Sequence, residues 1–152
     1  MNEKMKEEIQ ALIKTLIDKM GVLASVDINE IFDTTQFVIK SKDAGILIGI
    51  NGANLKAFNH VVRRMSEKIS GSEKGARFSV DVNDYQKQRI DSLHELAKMS
   101  AQRVRYFKKD VEMESMNAFD RRIIHSALAE YPDIVTESTG EGMNRRVVIK
   151  PL

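Results

Sequence analysis

The chain has 152 residues, 42% of them hydrophobic and 30% charged, with a formal net charge of +2 and no cysteine. This length admits one medium domain or two small ones, with the apolar share of a folded rather than a disordered chain. The near balance of charge excludes a uniformly basic nucleic-acid binder, so any basic surface is local. The lack of cysteine excludes disulfides, thiolate nucleophiles and cysteine-based zinc sites.

Met1 leads into a charged run, Asn2-Glu3-Lys4 and then Lys6-Glu7-Glu8. No long uncharged stretch follows, so neither a signal peptide nor an integral membrane segment is expected. Met5, Ile9, Leu12, Ile13, Leu16, Ile17 and Met20 recur at helical spacing, and Gly21 ends that helix. Val22 to Ile31 and Thr34 to Ile39 read as two strands joined by a turn near Asp33. Asp43 is a candidate cap for a helical turn over Ala44 to Leu47. After Gly49-Ile50-Asn51-Gly52, a second amphipathic helix carries Leu55, Phe58, Val61, Val62, Met65 and Ile69. Gly71-Ser72-Glu73-Lys74-Gly75 reads as a flexible turn. Phe78, Val80 and Val82 alternate with Arg77, Ser79 and Asp81, as a half-buried strand does.

A long helical pattern begins at Asp84 and runs to Lys109, with Ile90, Leu93, Ala97, Ala101, Val104 and Phe107 as its apolar line. Val111 to Met113 reads as a short strand. Met116-Asn117 precedes a helix with Phe119, Ile123, Ala127 and Leu128 toward its core and Pro132 as its stop. Ile134 to Glu137 and Arg145 to Lys150 read as a hairpin around a mobile glycine-containing loop, Ser138 to Gly142. No internal repeat or low-complexity tract is present.

Two features carry chemistry. In Arg121-Arg122-Ile123-Ile124-His125, residues 121 and 125 lie one turn apart on one helix face, an arginine fork beside an imidazole, both able to donate to a phosphate. Gly49-Ile50-Asn51-Gly52 is a glycine-bracketed loop between helices, where a strand backbone can approach closely. Residues 1–83 resemble a type II K-homology (KH) domain, with Gly49 to Gly52 in the place of its Gly-x-x-Gly loop. Residues 84–152, including the long linking helix 84–109, resemble the small α/β domain named for its Arg-x-x-x-His spacing. The ordered pair resembles the bacterial Jag family (sporulation protein J-associated). Its additional N-terminal Jag domain and linker are read as absent here. The expected fold is therefore α+β, a KH domain and an Arg-x-x-x-His domain joined by a long helix.

The resemblance implies a binding protein for single-stranded RNA or single-stranded DNA, acting in the bacterial cytoplasm as a post-transcriptional regulator linked to cell elongation and division. In a KH domain the glycine loop clamps about four nucleotides. Gly49, Ile50, Asn51 and Gly52 would form that clamp, Lys56 and Lys42 would add charge, and the helix starting near Asn54 would add its N-terminal partial charge. Ile46, Ile48 and Leu55 are candidate lining residues for bases. Arg121 would grip a phosphate in bidentate fashion and His125 would add a hydrogen bond, with Arg122 a lesser contact. A required His125 cation would make affinity rise toward pH of about 6.5. On the last strand Arg146 and Lys150 are preferred to Arg145, because their face looks more solvated.

The family's loop usually carries basic residues where this chain has Ile50-Asn51. That departure supports the alternative of a protein-interaction adaptor whose KH half dimerises or binds a second KH protein. Enzymatic activity is not expected: no nucleotide fingerprint or metal-ligand spacing occurs, and no metal or other cofactor is implied. Aromatic stacking platforms must be small, with no Trp, six Phe and three Tyr. His60 reads as partly buried, His94 as surface, Asp81 and Asp84 as a strand end and a helix cap, and the methionines as core filler.

Overall fold

The computed structural model describes residues 1–31, 33–71 and 77–152. The turn expected over 71–75 lies, beyond Gly71, outside them. The chain forms two compact units, Met1–Gln86 and Lys87–Leu152.

In the first unit α1 (Glu3–Lys19) starts where the Asn2 side chain accepts from the Met5 N–H at 2.9 Å. Its buried stripe is Ile9, Ile13 and Ile17. Strands β1 (Ser25–Ile31), β2 (Thr34–Lys40) and β3 (Phe78–Val82) form a sheet in the order β1-β2-β3, antiparallel then parallel. Strand β1 starts three residues later than the apolar pattern predicts. Val22 instead closes the end of α1, its N–H donating to the Ile17 carbonyl, and its side chain joins the core. A parallel pair needs a crossover, and α2 (Ala44–Ile48) with α3 (Ala53–Ser70) supplies it. Phe37 and Ile39 of β2 lie beside Val80 and Val82 of β3. These four pack with the α1 stripe, Leu55 and Val62 into one core. Burying each such side chain contributes about 1.5–3 kcal/mol.

Strand β3 is a sheet edge, and α3 covers it with polar side chains. The Asn59 amide accepts from the Val80 N–H and donates to the Val80 carbonyl, both at 2.8 Å. Arg63 donates to the Phe78 carbonyl at 3.0 Å. The side chains satisfy groups that would otherwise template another strand.

Helix α4 (Tyr85–Phe107) begins at the end of the first unit and supplies the first element of the second. Then come β4 (Val111–Glu112), α5 (Ala118–Leu128), β5 (Ile134–Thr139) and β6 (Arg146–Pro151). The sheet order is β4-β6-β5, with both pairings antiparallel. Leu93, Ala97, Ala101 and Val104 of α4 pack with Ile124 and Leu128 of α5 and with Val147 and Ile149 of β6. Helix α5 ends at Leu128, well before Pro132. Strand β5 reaches Thr139, so Ser138 belongs to the sheet and not to the loop.

Several polar expectations change. Asp43 makes no capping hydrogen bond. Asp84 sits at φ 56 and is not the cap of α4. The buried Asp81 carboxylate takes that place, accepting from the Gln86 N–H. Burial raises the Asp81 pKa, and hydrogen bonds from the Val82 and Gln86 N–H groups oppose the shift. His60 is exposed rather than partly buried, because its neighbours Asn59 and Val62 hold the sheet side of α3. Of the methionines, Met113 is buried and Met5 and Met116 pack on the cores, while Met1, Met20, Met65, Met99 and Met143 are exposed.

Candidate nucleic-acid interface

The glycine loop is built by backbone conformations that side chains resist. Gly49, Asn51 and Gly52 have φ values of 70, 53 and 76. A Cβ on Gly49 would lie 2.5 Å from the Asn54 side chain, which is itself fixed by donating to the Ile46 carbonyl at 2.9 Å. On Gly52 it would meet the Tyr85 ring at 3.0 Å. Both positions therefore require glycine. No side chain caps the start of α3 at Gly52, so a phosphate there would meet the positive end of an 18-residue helix. Ile50 is 86% exposed. Lys42, Asn51 and Lys56 are exposed as well. Leu55 is not a groove residue: it is only 3% exposed and belongs to the core. Ile46 stays exposed and Ile48 is half-buried, so only part of the expected apolar lining exists.

The second feature sits on α5. Asn117 caps that helix by accepting from the Asp120 N–H at 2.9 Å. The buried Asp120 carboxylate receives Arg89 of α4 at 2.6 Å, tying the two helices together. Asp120 is thereby occupied, and Arg121 forms no salt bridge among the described residues. Arg121 is half-buried and donates to the Met116 carbonyl at 2.7 Å. One of its five N–H donors is spent, and the bond fixes where the others lie.

His125 is pinned to β5 through both ring nitrogens, Nδ1 at 2.7 Å from the Thr136 hydroxyl and Nε2 at 2.8 Å from the Ser138 hydroxyl. Burial lowers its pKa below 6.5, and the Arg121 charge lowers it further. The ring is uncharged at neutral pH, accepting at one nitrogen and donating at the other. A hydrogen bond from His125 to phosphate requires one of these two bonds to open. Sequence spacing gave no sign of Thr136 and Ser138 as partners; strand alternation alone puts them on one face.

The sheet separates the remaining cations. Thr136 and Ser138 lie opposite Ile149 and Val147, on the face that α5 covers. Arg146, Val148 and Lys150 alternate to the other face. There Arg146 pairs with Glu112 at 3.2 Å and Lys150 with Glu137 at 2.9 Å. Arg122 is exposed. Arg145 is exposed too, and its carbonyl accepts from the Met116 N–H at 3.1 Å. Met116 thus joins Arg145 by its N–H and Arg121 by its carbonyl. Among the described residues no three His, Cys, Asp or Glu side chains group to hold a metal ion. No helix there is long and apolar enough to cross a membrane.

Comparison with known proteins agrees with this geometry. A KH domain model matches residues 4–116, and a model of the domain named for its Arg-x-x-x-His motif matches residues 91–151. Both are binding domains rather than enzyme folds. The RNA-binding protein KhpB of Bacillus subtilis is 30% identical over 145 residues, which are 94% of this chain and 69% of the relative. The chain belongs to the KhpB, or Jag, family. The KhpB of Clostridium symbiosum is 33% identical over 149 residues, 97% of this chain and 66% of that relative. That of Streptococcus pneumoniae D39 is 27% identical over 97% of this chain and 44% of the relative. The chain thus spans about two thirds of the first two relatives and under half of the third. The α+β architecture expected from the sequence is the one observed.

Proposed function

We propose that the chain binds single-stranded RNA and acts on it by binding alone, without catalysis and in the cytoplasm. The observation that carries this is Arg121: half-buried, held on the Met116 carbonyl, free of any carboxylate among the described residues, with Arg145 tied to the same residue. A guanidinium oriented in this way matches a phosphate in fork geometry. Arg121, Arg145 and Arg122 form the phosphate grip of the second unit, and His125 holds its helix on the sheet. Arg146 and Lys150, on the opposite face and ion-paired, lie outside this grip. In the first unit Gly49 to Gly52 and Lys56 provide the second grip through main-chain N–H groups. The relatives' name, RNA-binding protein, supports the same reading. A regulatory link to cell elongation and division rests on family resemblance.

Fluorescence anisotropy with labelled single-stranded RNA across a salt series tests this. The wild type is expected to bind with a log–log salt slope of about −0.7 per phosphate contact. Arg121→Ala is expected to weaken binding by roughly tenfold or more and to flatten the slope by about one contact. An unchanged slope and affinity in that variant would remove Arg121 from the phosphates.

One observation favours the adaptor alternative. Helix α3 exposes Val61, Met65 and Ile69 one turn apart, an apolar stripe suited to a second KH unit. Light scattering of the wild type and Met65→Glu separates the readings. A dimer that the variant dissolves, with no RNA binding in either protein, selects the adaptor.

A further inference from the structure

The end of α4 carries an aromatic pair that the core does not use. Tyr106 is 82% exposed and Phe107 is 63% exposed. Their ring centroids lie 4.9 Å apart at 81°, edge to face. In that arrangement the edge-on ring keeps both of its faces free of its partner. Leaving two adjacent aromatics in water forgoes the stabilisation their burial would give. Phe107 completes the apolar line of the helix in sequence, yet the buried line stops at Val104.

The surroundings are cationic. Arg103, Lys108 and Lys109 are exposed, against the single nearby carboxylate of Asp110. Arg103 and Lys109 form no salt bridge among the described residues. Arg105 is spent on structure: it grips Asp133 through two bonds of 2.7 and 2.6 Å and lies 4.6 Å over the Tyr131 ring. That clamp fastens the last turn of α4 to the start of β5, so the aromatic pair is held on a fixed base. Lys108, at φ 54, turns the chain out of the helix directly after the pair.

We propose that Tyr106 and Phe107 form a nucleobase-stacking platform, with Arg103, Lys108 and Lys109 drawing in the sugar–phosphate backbone of a single strand. Stacking on aromatic faces beside cations is the sequence-tolerant way of holding single-stranded bases. The platform lies outside both phosphate grips and rests on the reading that the chain binds single-stranded RNA. It supplies base contacts, which Arg121 and the glycine loop do not.

The test uses the full chain and two labelled probes of roughly 12 nucleotides, within the site sizes of single-strand binders. One is single-stranded RNA and the other is an abasic ribose-phosphate strand of equal charge. The double variant Tyr106→Ala/Phe107→Ala is expected to bind RNA roughly 5- to 100-fold more weakly with an unchanged salt slope. Its affinity for the abasic strand should equal that of the wild type. Tyr106→Phe keeps a ring and should bind RNA as the wild type does. If the double variant misfolds by circular dichroism, Tyr106→Ala alone, at the more exposed position, carries the test. Equal RNA affinity in variant and wild type overturns the platform and leaves the RNA-binding reading standing. An equal loss on the abasic strand overturns it as well, since the pair would then be acting on phosphates or on the fold. A variant that binds RNA normally but loses self-association shows a protein contact instead. A wild type that binds neither strand removes the RNA-binding reading, and the platform with it.

Discussion

The two candidate grips reach the same ligand chemistry by opposite means. The glycine loop works by omission: Gly49 and Gly52 have no Cβ, no side chain caps α3, and Ile50 stands in solvent. The α5 grip works by attachment. Arg121 is fixed on Met116, His125 on Thr136 and Ser138, and the start of the helix on Arg89. A backbone grip depends on φ angles that few residues tolerate. A side-chain grip depends on partners far away in sequence. Damage to the first should therefore act locally, whereas damage to the second should spread through the unit's stability.

The largest expected effect tests that contrast through Asp120, whose substitution leaves Arg89 partly buried without its partner. Asp120→Ala should destabilise the second unit by about 3–5 kcal/mol, read by urea unfolding. A loss below about 1 kcal/mol would mean that the ion pair does not hold α5 in place. Gly52→Asp comes next. The φ of 76 costs a non-glycine residue about 1–2 kcal/mol, and the new carboxylate repels phosphate. RNA affinity should fall while the Arg121-dependent part of the salt slope remains. Undiminished affinity in the folded variant would leave the chain with one grip. Smaller still is the difference between two neighbours on β6 and its approach. Arg145→Ala should weaken RNA binding several-fold, by about 1 kcal/mol, and Arg146→Ala should be silent. The reverse result would place the strand on the other face of the sheet.

The smallest effect is a pH dependence, and its sign differs from the one expected from the motif. The folded His125 pKa lies below the unfolded value, so folding favours the uncharged ring. Its contribution to stability is complete above the unfolded value of about 6.5 and is lost as pH falls through the folded pKa. The wild type should therefore lose more stability than His125→Gln between neutral pH and pH of about 5. RNA affinity should be flat across neutral pH rather than rising toward 6.5. Imidazole titration by NMR at or above 6.5 would contradict both.

Element order was legible in the sequence because it rests on local periodicity. The stripe Ile9, Ile13, Ile17 and the alternation of Phe78, Val80 and Val82 each declare an element within a few residues. The motif residues were legible for the same reason, since Arg121 and His125 share one turn. What holds them was not. Arg89 meets Asp120 across 31 positions and His125 meets Ser138 across 13. Asn59 pairs with the edge of β3 across 21. Such contacts follow from packing, which periodicity does not encode. Leu55 and Phe107 show the converse error. Each belongs to an apolar helix pattern, yet the first is buried in the core beneath the loop and the second stands clear of the core at the end of its helix.

Ile50 leaves the glycine loop open to evolutionary drift. Its side chain contributes little to the core, being almost wholly in solvent, while the loop's shape is set by its glycines and by Asn54. A lysine at position 50 would leave that scaffold intact and add a cation where a phosphate would pass. The grip strength of the first unit can thus be tuned at one codon, independently of folding, and two lineages sharing this fold can differ in nucleic-acid affinity by that position alone.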